Sequence, residues 1–269
     1  MNKRWCAQKN QSPGGPQQDR QLSTDGCLSG AARRGCYTLG RKYAGVASGL
    51  RRRFLEIRTR QRDWPTVTAM QVDEFIRQPS KQSFTDCRKS AERVNAWPGV
   101  REGLLEYLET GKRPWKKPEW SLPETGLGEP EANPHERFPR VARLIDIAIL
   151  EKQPDKVLHW YDRLSLERSA WQHAVDADRI ATAVKTFAPE RAVVIWKNRA
   201  ESLIAQVNPS AYQEAAVYLR KAGQVMTSLK TQAEWDRYLQ ELRRTHARKI
   251  RLIEVLDGLE GKPILKKRR

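Results

Sequence analysis

The chain is short of acid, of cysteine and of long apolar runs, and each shortage narrows what it can be. With 50 lysines and arginines against 32 aspartates and glutamates in 269 residues, the net charge is +18. That balance attracts nucleic acid, anionic membrane or acidic protein without choosing among them. The four cysteines, of which Cys6, Cys27 and Cys36 fall in the first 36 residues, form no dense disulfide framework, so a reducing, cytoplasmic setting is expected. They also lack the close pairing that structural zinc uses, and no zinc or other cofactor is expected. No segment approaches the roughly 18 consecutive apolar residues of a membrane span, and the N-terminus lacks the apolar stretch of a signal peptide; no membrane partner is expected.

Catalytic constellations are missing as well. Gly40 and Gly45 have the spacing of a phosphate loop, but Val46-Ala47 stand where Lys-Ser/Thr would be needed. None of the four histidines stands in a zinc-protease pattern. His173 with Asp176 and Asp178 contains metal-ligating residue types, yet an aspartate pair ahead of a helix reads as a cap. His159-Trp160-Tyr161-Asp162 reads as a packing cluster, and Cys87, on an apolar stripe, as a small core residue. With no acid–base or nucleophile set in evidence, the chain is not expected to be an enzyme.

What is present is helical periodicity. Hydrophobic residues make up 39% and charged residues 30%, a ratio that favours thin helical layers over one thick globular centre. Residues 1–50 hold eight of the 16 glycines without an apolar period and are expected to be a disordered leader. From Arg51 to Gly111 a helical texture follows. Asp63-Trp64-Pro65 and Ala96-Trp97-Pro98 repeat the same pair 33 residues apart, and each opens an amphipathic helix, with Gly111 placed as a C-terminal cap.

Residues 112–138 carry five prolines and read as a linker. Its Lys112, Arg113, Trp115, Lys116, Lys117 and Trp120 make a basic-aromatic stretch suited to stacking on bases, or to pinning the linker onto the helices. Residues 139–261 read as a second run of helices. There Pro154 and Pro189, 35 residues apart, each open an apolar helix, while Ser210–Gln213 and Thr231–Glu234 match capping boxes. Periods of 33 and 35 with paired helices point to an all-α, tetratricopeptide-like solenoid of helical hairpins.

One long final helix is expected from Ala233 to about Leu256. Along it Arg237, Arg244, Arg248 and Arg251 recur at helical spacing, and the basic tail 262–269 ends in Lys266, Lys267, Arg268 and Arg269. These eight residues are the candidate contacts for an anion or nucleic acid. His246 is expected on or beside this helix's apolar side.

Taken together, the stretches EYLETGKRPW (106–115), WSLPETGL (120–127), VLHWYDRL (157–164), RAVVIWKNRAESLIAQVNPSAYQEAAVYLRK (191–221) and RLIEVLDGLEGKPIL (251–265) resemble the C-terminal helical region of bacterial and archaeal SWIM zinc-finger proteins. The resemblance spans 51–265 and implies a role in protein or DNA binding. The family's zinc site, of Cys-x-Cys and Cys-x-His pairs, lies N-terminal to the matched region, and this chain has neither pair, so no ligand carries over. It is therefore expected to be a shortened or split form of a longer protein, or a partner-dependent half of one. The function expected overall is a non-enzymatic scaffold for a protein partner, with weak nucleic-acid binding through the basic C-terminus as the alternative. Because 1–50 lack the apolar period needed to offset ordering entropy, thermal melts of residues 1–269 and 51–269 are expected to show equally cooperative unfolding.

Overall fold

The computed structural model of the protein describes residues 44–128, 136–166 and 176–259. Among them are eleven α-helices and one short 3-10 helix, with no strand. In chain order they are α1 (Ala44–Arg60), α2 (Trp64–Arg77), α3 (Lys81–Arg93), α4 (Trp97–Thr110), the 3-10 helix Pro114–Lys116, α5 (Val141–Leu150), α6 (Pro154–Leu166), α7 (Ala177–Val184), α8 (Pro189–Ala205), α9 (Pro209–Ser228), α10 (Gln232–Thr245) and α11 (Ile250–Leu259). None is long and apolar enough to cross a membrane.

The expected leader is corrected at its end. Residues 44–50 already belong to α1 despite Gly45 and Gly49, because a helix begun there continues into the Arg51–Arg60 turns. Residues 1–43 lie outside the described residues. Two compact units divide the chain. The smaller takes the beginning of α1 as far as Arg51 together with 126–128, and the larger takes Arg52–Thr125 and the chain from Glu129.

One device recurs at five of the helix-to-helix connections. Arg62, Asn95, Lys152, Val207 and Lys230 all adopt left-handed backbone, with φ of 58°, 55°, 55°, 54° and 61°, and each stands two residues ahead of the next helix. In four of these turns the residue after the left-handed one donates its N–H five residues back: Asp63 to Arg58 O (3.1 Å), Ala96 to Ala91 O (2.9 Å), Gln153 to Ala148 O (2.9 Å) and Thr231 to Met226 O (3.0 Å). This is the Schellman closure, which satisfies carbonyls left open at a helix end and reverses the chain.

The Trp-Pro pairs belong to that device. Pro65 and Pro98 occupy the first helical turn, where a missing N–H costs nothing. The indoles brace the neighbouring helix: the Arg93 guanidinium sits 4.0 Å from the Trp64 ring, and Trp97 packs edge-on against Phe84 at 5.3 Å.

Each helix packs on the next within α2–α11, and α2/α4, α3/α5, α5/α7 and α9/α11 also touch. A single apolar cluster runs through both helical stretches, from Val72 and Phe75 through Leu104, Ile145 and Ile195 to Leu252 and Leu256. The proline-rich segment is laid onto this cluster. Trp115 and Trp120 pack against it, and Lys117 pairs with Glu106 at 2.5 Å and Glu102 at 3.3 Å. Two glycines make this possible: a Cβ at Gly103 would lie 2.9 Å from Pro114 Cβ, and one at left-handed Gly111 would lie 2.8 Å from the Phe138 ring.

Capping follows the sequence only in part. Asp63 and Asp176 cap α2 and α7 as expected, accepting from Thr66 N and from Asp178 N and Arg179 N. Ser210 does not cap α9. Asn208 does, accepting from Ser210 N at 3.0 Å, because Pro209 already fits the first helical position. Thr231 precedes α10 without a side-chain cap bond; its hydroxyl donates to Met226 O instead, at 3.1 Å. The reciprocal capping box that does form is Ser80 with Ser83 on α3.

Val207 is the least comfortable of the left-handed residues, since a β-branched side chain clashes in that region, and it is 65% exposed. Val207→Gly is expected to raise stability by about 1 kcal/mol, read as a higher urea midpoint with an unchanged m-value.

Candidate functional site

The expected C-terminal arginine stripe is not one surface of one helix. The chain breaks after Thr245, and α11 begins at Ile250. The reason is tertiary. Continued straight, Leu252 would lie about 15 Å beyond Leu242 along the axis, whereas in the structure Leu252 and Leu256 are fully buried, at 0% exposure, with α11 packed on α9 and α10. Two basic side chains hold the reversal. Arg243 donates to Leu256 O at 3.2 Å and pairs with Asp257 at 3.3 Å, and Lys249 Nζ donates to Ile204 O at 3.1 Å, at the C-terminal end of α8.

Arg237 and Arg244 therefore lie on α10, Arg248 in the connection and Arg251 on α11. Arg244 and Arg251 are each paired within their own helix, with Glu241 at 3.0 Å and Glu254 at 3.3 Å. Lys266, Lys267, Arg268 and Arg269 lie outside the described residues. His246 forms the C-cap of α10, half-buried, and burial followed by the charge of Lys249 holds its imidazole below its usual pKa.

Cys87 is fully buried, and its thiol is pushed well above the usual range by burial and then by Asp86, so it is a packing residue. Asp178 accepts both oxygens' worth of contact from Lys221 Nζ at 2.6 Å and a bond from Trp196 Nε1 at 2.9 Å. Burial works against its charge, but these donors and the Lys221 charge prevail and hold its carboxyl below the ordinary value. It is a brace between α7, α8 and α9.

A half-open cleft of about 360 Å³ lies among α4, α5 and α6, a size suited to a small ligand or one or two side chains of a partner. Its floor is apolar: Leu105 from α4, Leu144, Ile147 and Ala148 from α5, and Trp160 from α6. Its α6 rim carries Lys156, His159 and Arg163, one turn or two apart, and the α4 rim carries Glu109. The Arg163 guanidinium lies 5.6 Å from the Trp160 ring, and His159 meets the same indole edge-on at 4.9 Å.

Glu151 at the margin is committed to Arg101 in a two-point pair, Nε to Oε1 at 2.6 Å and Nη2 to Oε2 at 2.5 Å, which ties α4 to the end of α5. Beside them Gln153, in the turn between α5 and α6, has a buried side-chain oxygen with no hydrogen-bond partner, a state that costs about 1–3 kcal/mol.

In the sequence His159 and Trp160 read as a packing cluster, and nothing local joins them to Leu105 or Glu109, some fifty residues earlier. No family model, curated protein or solved structure matches the chain.

The reversal before α11 is testable through its carbonyl contact. Lys249→Met is expected to lower stability by about 1 kcal/mol in urea unfolding, while Arg248→Met, which removes an equal charge from an exposed position, leaves the midpoint unchanged.

Proposed function

We propose that this chain is a non-enzymatic, tetratricopeptide-like scaffold of helical hairpins that works in the cytoplasm and holds a segment of a partner protein in the α4–α5–α6 cleft. The observation that carries the reading is the cleft's make-up: five apolar side chains with the cations Lys156 and Arg163 along α6. An apolar residue of the partner fills the floor, and flanking acids meet Lys156 and Arg163. A segment of that kind gains affinity from apolar burial and orientation from charge. Contacts between alternate helices, α2/α4 and α3/α5 among them, support hairpin stacking of the tetratricopeptide kind, in which a neighbour completes each core. The likeness of 51–265 to the C-terminal region of SWIM zinc-finger proteins belongs to the same proposal, since it also implies a binding role.

Peptides selected from a random library against the full chain test it. They are expected to pair an apolar residue with nearby acids and to lose on the order of tenfold in affinity against Leu105→Lys or Lys156→Glu, with melting temperature unchanged. Exchanging their acids for lysines is expected to restore binding to Lys156→Glu. Selected peptides that bind both variants as tightly as the original protein would remove the cleft from the reading.

A further inference from the structure

We infer that a second surface, where α3, α5 and α7 begin, binds the phosphate backbone of nucleic acid. Asp146 of α5 is approached by three cations from three helices: Lys81 Nζ at 3.5 Å, Arg179 Nη2 at 3.0 Å and Arg143 Nη1 at 3.4 Å. The carboxylate is largely covered, with 18% of its side chain exposed, while the three cations remain 42%, 40% and 51% exposed. One negative charge thus orients three positive ones and leaves them open to solvent.

The neighbouring acids do not make up the difference. Asp178 is engaged by Lys221 and Trp196, and the side chain of Asp176 is turned into the cap of α7.

Anchoring does not call for three cations at one carboxylate. Lys81 is the first residue of α3, and Arg143 and Arg179 are the third residues of α5 and α7. A cation in the first turn opposes the helix dipole, and α3 and α5 have no acid in that turn to offset it. Three exposed cations crowded around one carboxylate also repel one another. A polyanion removes both penalties: guanidinium groups fork onto phosphate oxygens, and the helix N-termini add their own partial positive charge behind them.

The local excess is two charges on a chain whose net charge is +18, which suits an extended phosphate backbone. This surface is not the cleft. Asp146, about which the cations gather, stands about 100° to 160° around α5 from Leu144, Ile147 and Ala148, and of the three cations only Arg143 comes within one turn of a cleft residue, Ile147. Nor is it the C-terminal stripe, where Arg244 and Arg251 are each matched by an acid of their own, Glu241 and Glu254.

The test is fluorescence anisotropy of the full chain with a labelled single strand and a labelled duplex of about 20 nucleotides, between about 50 and 200 mM salt. The double variant K81Q/R143Q leaves Arg179, the nearest cation at 3.0 Å, to hold Asp146, and thermal melts confirm that it folds. It is expected to bind on the order of tenfold more weakly at low salt, with a salt slope shallower by about 1.4 for the single strand and about 1.8 for the duplex. D146N, which removes the one negative charge among the three cations, is expected to bind more tightly. R244Q/R251Q is expected to bind as the original protein does.

The inference is overturned if the chain binds neither probe at low salt, or if K81Q/R143Q keeps the original affinity and slope. It is also overturned if D146N folds normally yet binds more weakly, or if R244Q/R251Q is the variant that loses the complex. Peptide binding in the cleft is read separately, so that reading and this one fail independently.

Discussion

A single left-handed residue, placed two positions before a helix begins, is the constraint on which this architecture depends. By closing a hydrogen bond five residues back, from Asp63, Ala96, Gln153 and Thr231, it ends one helix and aims the next without a loop. Connections that short leave successive helices little choice but to lie side by side, so their apolar stripes face each other and merge into one cluster from Val72 to Leu256. The turn is made here without glycine, by Arg, Asn, Lys, Val and Lys. Each non-glycine residue accepts backbone strain, which packing on both sides of the turn offsets.

The same close approach of helices governs the charges. A chain with 30% charged residues whose helices lie side by side brings many of them near the core. Three partly covered carboxylates serve as anchors between distant segments: Glu151 for Arg101, 50 residues away, Asp178 for Lys221, 43 residues away, and Asp146 for cations of α3 and α7. The first two are matched one to one and brace the fold. Asp146 is outnumbered, and that imbalance distinguishes a surface able to receive an anion from a surface that is only held together.

Much of the helical plan was legible locally. Trp64-Pro65, Trp97-Pro98, Pro154, Pro189, Asp63, Asp176 and Gly111 marked helix ends through backbone preferences that operate within a turn. Where two local preferences competed, the sequence pointed to the wrong one. Ser210 had the capping-box spacing, but Pro209 moved the cap to Asn208. Ser80 was missed because its reciprocal partner is Ser83, not the acid or amide usual at that place. The start of α1 at Ala44 was hidden by glycines that lower helix propensity without forbidding the helix.

The sequence by itself therefore determined that the chain is helical, and where most of its helices begin, because caps, prolines and apolar spacing act over a few residues. Only the tertiary structure decided the rest. Residues 246–249 contain neither glycine nor proline, and the break there arises because Leu252 and Leu256 reach a buried place against α9 only by turning back. The cleft joins Leu105 to Trp160, and the cation cluster joins Lys81 to Asp146 and Arg179. These proximities are set by how helices stack, a sum over many weak contacts along the whole core, and no stretch of one helix carries that sum.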